Sequence, residues 1–264
     1  MTATMNRTRN QHFISQAEQR LNAANPLADP ANQRIYAFDI VDRDRHVLRC
    51  APGPGQKIAR TLSHQDLFSF HVTEGADRAN LEAMFGRYEA RIAILTERLL
   101  MAHATNDANV GAELVELFVA KTLNFVRNPY SIRKVLNTFG QFANFHPTDP
   151  AIYAAYVQTL VGRQPHQAHL CRELDVTETE YRTWLRVLFM LLSPVAPDGA
   201  PFLETCMTSL IQQESHGVLI HVHRYDEARC LISDRGFSWP IEESQGLVFD
   251  FNLAAHAFIR FAFL

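Results

Sequence analysis

In the stretch QHFISQAEQR, His12, Gln16 and Arg20 recur at every fourth residue. On a helix that spacing lines up an imidazole, an amide and a guanidinium as one polar stripe. An imidazole titrates near neutrality and serves as base or ligand, and a guanidinium holds an anion through a planar fork of donors. The same stripe also suits a polar helix that satisfies neighbouring carbonyls while Arg20 pairs with an acid. Glu82 and Glu89 stand seven residues apart, with Phe85 between them on the same side. Two carboxylates on one stripe can hold a divalent cation or act as acid and base. They equally suit the wet edge of an amphipathic helix, flanked by Arg78 and Arg91.

Lys121, Asn124 and Asn128 interrupt an otherwise apolar run as a second polar stripe. Such a stripe faces solvent or lines a polar cleft. Arg127 and Arg133 flank the Asn128-Pro129 break, where Arg127 can bind a phosphate or neutralise a neighbouring carboxylate. Ser233 and Asp234 close ARCLISD just before the turn RGF. A carboxylate there suits a catalytic or metal-binding role, and also plain turn chemistry. His221 and His223 alternate on one strand face without a third ligand nearby in sequence, so no zinc site is expected. No Gly-rich phosphate loop, G-x-S-x-G or H-E-x-x-H motif occurs.

The elements that must position these groups follow from the apolar spacing. RIYAFDIVD (34–42) reads as a strand covered on both faces, with HVLRC (46–50) as its partner across the charged turn DRDR. APGPGQ (51–56) is a breaker. From Asp77, a credible N-cap, Leu81, Phe85, Tyr88, Ile92, Leu95 and Leu99 recur at helical steps. Further helices are expected over about 110–127, ended by Pro129, then 131–145 with Ser131 as cap, 151–162, 177–193 and 201–215. Thr177 and Glu180 have the spacing of a capping box, and the helix they open is apolar nearly all round, hence central. GVLIHVHR, ARCLISD, GLVFDFNL and AFIRFAFL read as strands. The expected fold is α+β. Short N-terminal strands (1–76) precede a bundle of about six helices (77–215), and antiparallel C-terminal strands (216–264) join the N-terminal ones in one sheet of a single domain. AFIRFAFL is strand-like to its last residue, so either its carboxylate sits at a sheet edge or the natural chain continues.

Composition narrows the function class. The chain has 264 residues, 47% of them hydrophobic, enough to bury a core without metal or disulfide staples. A formal net charge of −3 argues against an electrostatic binder of nucleic acid or anionic membrane. The first 60 residues are mildly basic, too diffusely to name a partner. The four cysteines are widely spaced and make no C-x-x-C pair, which suits reduced, mostly buried thiols. MTATMNRTRNQHF lacks the apolar core of a signal peptide and no run reaches membrane-spanning length. A cytoplasmic protein is expected, or an effector exported without a classical signal.

Together HFISQAEQRL, the YAFDI strand, the helix with Glu82 and Glu89, FVAKTLNFVRNP, LISDRGF and FNLAAHAF occur in order. In this the chain resembles a bacterial family catalogued as domain of unknown function 4238, over nearly its whole length. That family carries no established activity. The resemblance implies a site at His12, Gln16, Glu89, Arg127, Ser233 and Asp234. It departs in having Ser15 where the family has proline, and Glu18-Gln19 where the family has aromatic or leucine residues.

These residues lead to a phosphodiester-cleaving hydrolase, a nuclease of the toxin or phage-defence kind. In that reading His12 is the general base, Glu89 and Asp234 bind a divalent metal such as magnesium, and Arg127 stabilises the phosphate. Gln16 completes the catalytic set, while Arg20, Asn124 and Ser233 contact the ligand. Nucleic acid is the expected substrate, and an antitoxin or immunity protein the expected partner, with no membrane. The rival is a sensor or binding module using the same residues, or a buried network tying the N-terminal segment to the C-terminal sheet.

Overall fold

The computed structural model describes residues 9–72, 78–161, 167–194, 199–213, 217–238 and 246–264. The short N-terminal elements are β1 (Asn10–His12), α1 (Gln16–Arg20), β2 (Arg34–Ile35), β3 (Phe38–Asp42), β4 (Val47–Cys50), β5 (Gln56–Lys57), β6 (Ser63–Gln65), β7 (Ser69–Val72) and β8 (Arg78–Asn80). The helices that follow are α2 (Glu82–Thr105), α3 (Gly111–Val126), α4 (Ile132–Phe139), α5 (Pro150–Val161), α6 (Gln167–Glu173), α7 (Glu178–Leu192) and α8 (Phe202–Gln212). Last come β9 (Val218–Arg224), β10 (Leu247–Ala254) and β11 (Ala257–Phe263). The α+β class is as expected, and α6 is a helix the apolar spacing did not announce.

Helical periodicity becomes burial directly. Phe85, Tyr88, Ile92, Leu95 and Leu99 of α2 face the core, and the helix ends where Asn106 turns left-handed at φ 52°. In α3 the inward face carries Leu117, Phe118, Ala120 and Leu123, but also Lys121 and Asn124. Pro129 forces Asn128 out of helix, and the Asn128 side chain accepts the Tyr130 N–H to start a 3-10 turn over Pro129–Ser131. Ser131 then occupies the N-cap position of α4 without making a side-chain cap bond. Asp77, expected to cap α2, lies outside the described residues. The capping box of Thr177 and Glu180 is formed. Behind it α7 is central: Trp184 donates to the Val126 carbonyl at 2.8 Å, and Tyr181 to that of Leu67 at 2.6 Å.

The C-terminal strands form an antiparallel sheet in the order β10-β11-β9. Phe249, Phe251, Phe261 and Phe263 gather around Phe118 of α3. One apolar cluster takes in Phe13, Ile14 and Phe68 from the N-terminal segment, the α2, α3 and α7 stripes, and Phe251 and Phe261.

Several expectations are corrected. The N-terminal strands do not join the C-terminal sheet; they close among themselves as the two-stranded ladders β1-β6, β2-β5, β3-β4 and β7-β8. Each is two to five residues long, so none offers a ladder edge to match strands of seven or eight. RIYAFDIVD is split, its halves pairing with Gln56–Lys57 and Val47–Cys50. Among the described residues the β3-β4 hairpin is not covered: Ile40 and Val41 are both more than half exposed, because a two-stranded ribbon has two faces and no described element packs as a layer on either. ARCLISD is no strand; it touches the turn between β10 and β11 where Cys230 N–H donates to the Ala255 carbonyl, and its residues build no ladder. Nor are the thiols mostly buried: Cys171 is, Cys50 is exposed, and Cys206 and Cys230 lie between. Among the described residues no helix is long and apolar enough to cross a membrane.

The turn after Ser233 reaches back to α3 through Gly236, which has φ +83° and whose place for a Cβ lies 2.8 Å from the Asn124 Cβ. Gly236→Ala is therefore expected to lose about 2 kcal/mol, from left-handed strain plus overlap, read as a lower thermal midpoint.

Candidate functional site

The site is built around α1. Ser15 caps that short helix by accepting the Glu18 N–H at 3.1 Å. Helical geometry then sends Glu18 and Gln19 inward, both fully buried, while Gln16 and Arg20 share the opposite, half-buried face. Arg20 donates to Gln16 Oε1 at 2.8 Å. His12 does not continue a helical stripe, because the helix starts only at Gln16; it ends β1 instead. The three groups nevertheless lie close enough that the Arg20 charge acts on His12.

Beneath them is a closed polar floor. Lys121 donates to Glu18 Oε1 and, at 2.5 Å, to the Asn252 carbonyl of β10. Asn124 donates to the other Glu18 oxygen at 2.5 Å. Asn252 and Asn22 exchange side-chain hydrogen bonds at 2.8 and 3.0 Å. Arg127, almost wholly buried, spends each guanidinium nitrogen: Nε on the Phe13 carbonyl at 3.1 Å, Nη1 on Glu89 at 2.5 Å and Nη2 on Asn124 Oδ1 at 2.9 Å. Its guanidinium also lies over the Phe85 ring.

The rim above this floor is less satisfied. His12 Nε2 lies 3.2 Å from the Ile58 carbonyl, so the neutral ring carries its proton there and leaves Nδ1 as the lone pair. Burial lowers the His12 pKa; the Ile58 carbonyl and the Glu89 charge oppose the shift, and Arg127 and Arg20 add to it. Glu82 opens α2, its N–H held by Asn80 Oδ1 at 3.1 Å. Burial pushes its carboxyl up to about 7; Arg127 opposes this and Glu89 adds to it. Among the described residues, Glu82 Oε1, Arg20 Nε and Gln19 Oε1 are buried atoms without a hydrogen-bond partner.

No family model, curated protein or solved structure matches this chain.

Of the sequence-predicted set, His12, Gln16, Arg20, Glu89, Asn124 and Arg127 come together. Ser233 and Asp234 arrive on a separate turn. Ser233 Oγ accepts the Arg235 N–H, the Asp234 carbonyl accepts from Asn128 Nδ2, and Asp234 itself is exposed. Among the described residues no three His, Cys, Asp or Glu side chains form a metal-ligand group. Glu89 has its carboxylate on Arg127, so the expected Glu89–Asp234 metal pair finds no completed ligand set. The residues the sequence reading missed are Glu18, Asn22 and Asn252. A signal was present in FVAKTLNFV, where a lysine surrounded by apolar residues requires a buried carboxylate. A groove of about 900 Å³ between α2, α3 and α8, lined by Tyr88, Leu95 and Val119, contains none of these residues.

Two expectations follow. Lys121→Met leaves the Glu18 carboxylate buried without its cation and is expected to cost about 3–5 kcal/mol in denaturant unfolding, most of it recovered by adding Glu18→Gln. Glu82 has a folded pKa raised from 4.5 to about 7, so the fold favours its protonated form. That contribution is complete below 4.5 and lost as pH rises through about 7. Melting from pH 4 to 8 is thus expected to show Glu82→Gln gaining on the wild type as pH rises through that window.

Proposed function

We propose that the rim is an acid–base hydrolytic site for an anionic substrate, a phosphodiester. The observation that carries the reading is a buried imidazole whose pKa burial lowers and a half-buried carboxyl that burial pushes up to about 7, both acted on by the same Arg127 and Glu89 charges. His12 Nδ1 takes the proton from a water whose oxygen attacks phosphorus, and Glu82 gives its proton to the departing alkoxide. Arg20, half-exposed and with Nε unpartnered, neutralises the charge that builds on the phosphoryl oxygens; Gln16 aims it. Arg127, Asn124 and Glu89 act from below as positioning residues, since the almost wholly buried guanidinium has one bond from each of its nitrogens committed to protein acceptors. Ser233 and Asp234, on the separate turn held by Asn128, take no part in the step. In this reading the protein is a nuclease-type effector of cell growth, held in check by an antitoxin or immunity protein.

One observation favours the rival, a module that binds an anion without cleaving it: the most buried polar groups are spent on one another. The two separate cleanly with bis(p-nitrophenyl) phosphate as substrate. The hydrolytic reading expects turnover, with kcat down about a hundredfold or more in His12→Gln and in Glu82→Gln without any loss of melting temperature. It also expects kcat/KM to be bell-shaped, falling above about pH 7 as Glu82 ionises and at lower pH as His12 gains a proton. No turnover by the wild type, with phosphate binding that Arg20→Met abolishes, would leave the binding module instead.

A further inference from the structure

In the β1-β6 ladder, His64 is paired with Gln11, and His12 with Ser63. Neighbouring residues on a strand face opposite sides, so His64 lies across β1 from the His12 rim. There its ring stacks on Phe13 with centroids 5.7 Å apart, and Tyr130 meets both rings edge-on. Tyr130 is fixed by the 3-10 turn after Asn128, its N–H bonded to Asn128 Oδ1 at 2.9 Å. Its hydroxyl lies 3.3 Å from His64 Nε2. On the far side of that ring, His64 Nδ1 lies 3.5 Å from Glu173 Oε1 at the end of α6. Tyr130 is 51% exposed, so the nucleophilic end of the chain of contacts reaches solvent. Glu173 favours the Nδ1–H tautomer, which leaves the Nε2 lone pair for the phenolic proton.

We propose that Tyr130, His64 and Glu173 form a second reactive centre, a tyrosine nucleophile activated through histidine, that takes the acyl group of an uncharged or cationic ester. The substrate class follows from charge: Glu173 and Asp234 both act on Tyr130, and two carboxylates beside the nucleophile repel a phosphodiester. Burial, and after it those two carboxylates, favour the protonated hydroxyl until His64 receives its proton. In the step, the Tyr130 oxygen bonds to the carbonyl carbon and its proton passes to His64 Nε2. The ester C–O bond then breaks, and the leaving alkoxide takes that proton. Water hydrolyses the tyrosyl ester by the reverse path: His64 accepts a proton from the water and returns it to the Tyr130 oxygen. Glu173 touches no substrate and is a positioning residue; its second oxygen faces His169 at 3.6 Å.

The test uses the full chain and p-nitrophenyl acetate, with the acetylated residue mapped by mass spectrometry. Expected are a burst of about one p-nitrophenolate per chain and acetylation of Tyr130 ahead of the other tyrosines. Tyr130→Phe, which keeps the ring packing and is checked by melting, abolishes the burst; His64→Gln slows it at least tenfold. Glu173 and His169 are the charged groups acting on His64, Glu173 raising its pKa against the lowering by burial. Glu173→Gln is therefore expected to shift the midpoint of the acetylation rate–pH profile downward. Acetylation spread evenly over exposed side chains, absence of a burst, or a Tyr130 rate unchanged in His64→Gln overturns the proposal. An unmoved midpoint in Glu173→Gln overturns the part given to that residue. None of these readouts involves the His12 rim.

Discussion

The structure depends on one buried charge pair. Lys121 and Glu18 have no exposed side-chain surface, and taking both ions out of water costs several kcal/mol apiece unless their remaining donors and lone pairs are filled. That requirement dictates what surrounds them. Glu18 needs Asn124 on its second oxygen, and Lys121 needs the Asn252 carbonyl, so α1, α3 and β10 meet at a single point. Asn124 in turn uses its amide oxygen on Arg127, which reaches Glu89 of α2 and the Phe13 carbonyl. The chain's two ends are joined here by side chains and by Ala255 N–H on the Leu21 carbonyl, rather than by a shared sheet.

A floor this saturated explains the rim. Groups that would otherwise pair with Glu82, Arg20 or His12 are already engaged, and the rim residues hold their places without complete partners. Burial then acts unopposed enough to move a carboxyl up and an imidazole down, the combination that lets one face hold an acid and a base near neutrality. The rigidity comes from elements that also carry the core, because Phe13 and Phe85, which contact Arg127, belong to the main apolar cluster. Preorganisation and folding therefore share one set of contacts.

Elements whose signals are local were legible in the sequence. The periodicity of Phe85 to Leu99, the Thr177–Glu180 capping box, the Pro129 break and the apolar strands from Leu247 onward all reappear as structure. What stayed hidden was set by distant partners. ARCLISD and GLVFDFNL both carry short apolar runs, yet the second lies beside β11 and ladders with it while the first does not. RIYAFDIVD is apolar on both faces and still exposed from Phe38 to Val41, because apolar content does not say whether a second layer exists. The site shows the same division. The polar stripes were visible as His12, Gln16, Arg20, Asn124 and Arg127. Glu18 passed unnoticed as a partner because Lys121 lies 103 residues away, where no spacing rule reaches.

Amide hydrogen exchange of the wild type and Glu18→Ala tests the account at its centre. If the pair joins α1, α3 and β10, the variant loses protection in all three together while α7 keeps its own. Loss confined to α1, with β10 as protected as in the wild type, would contradict it.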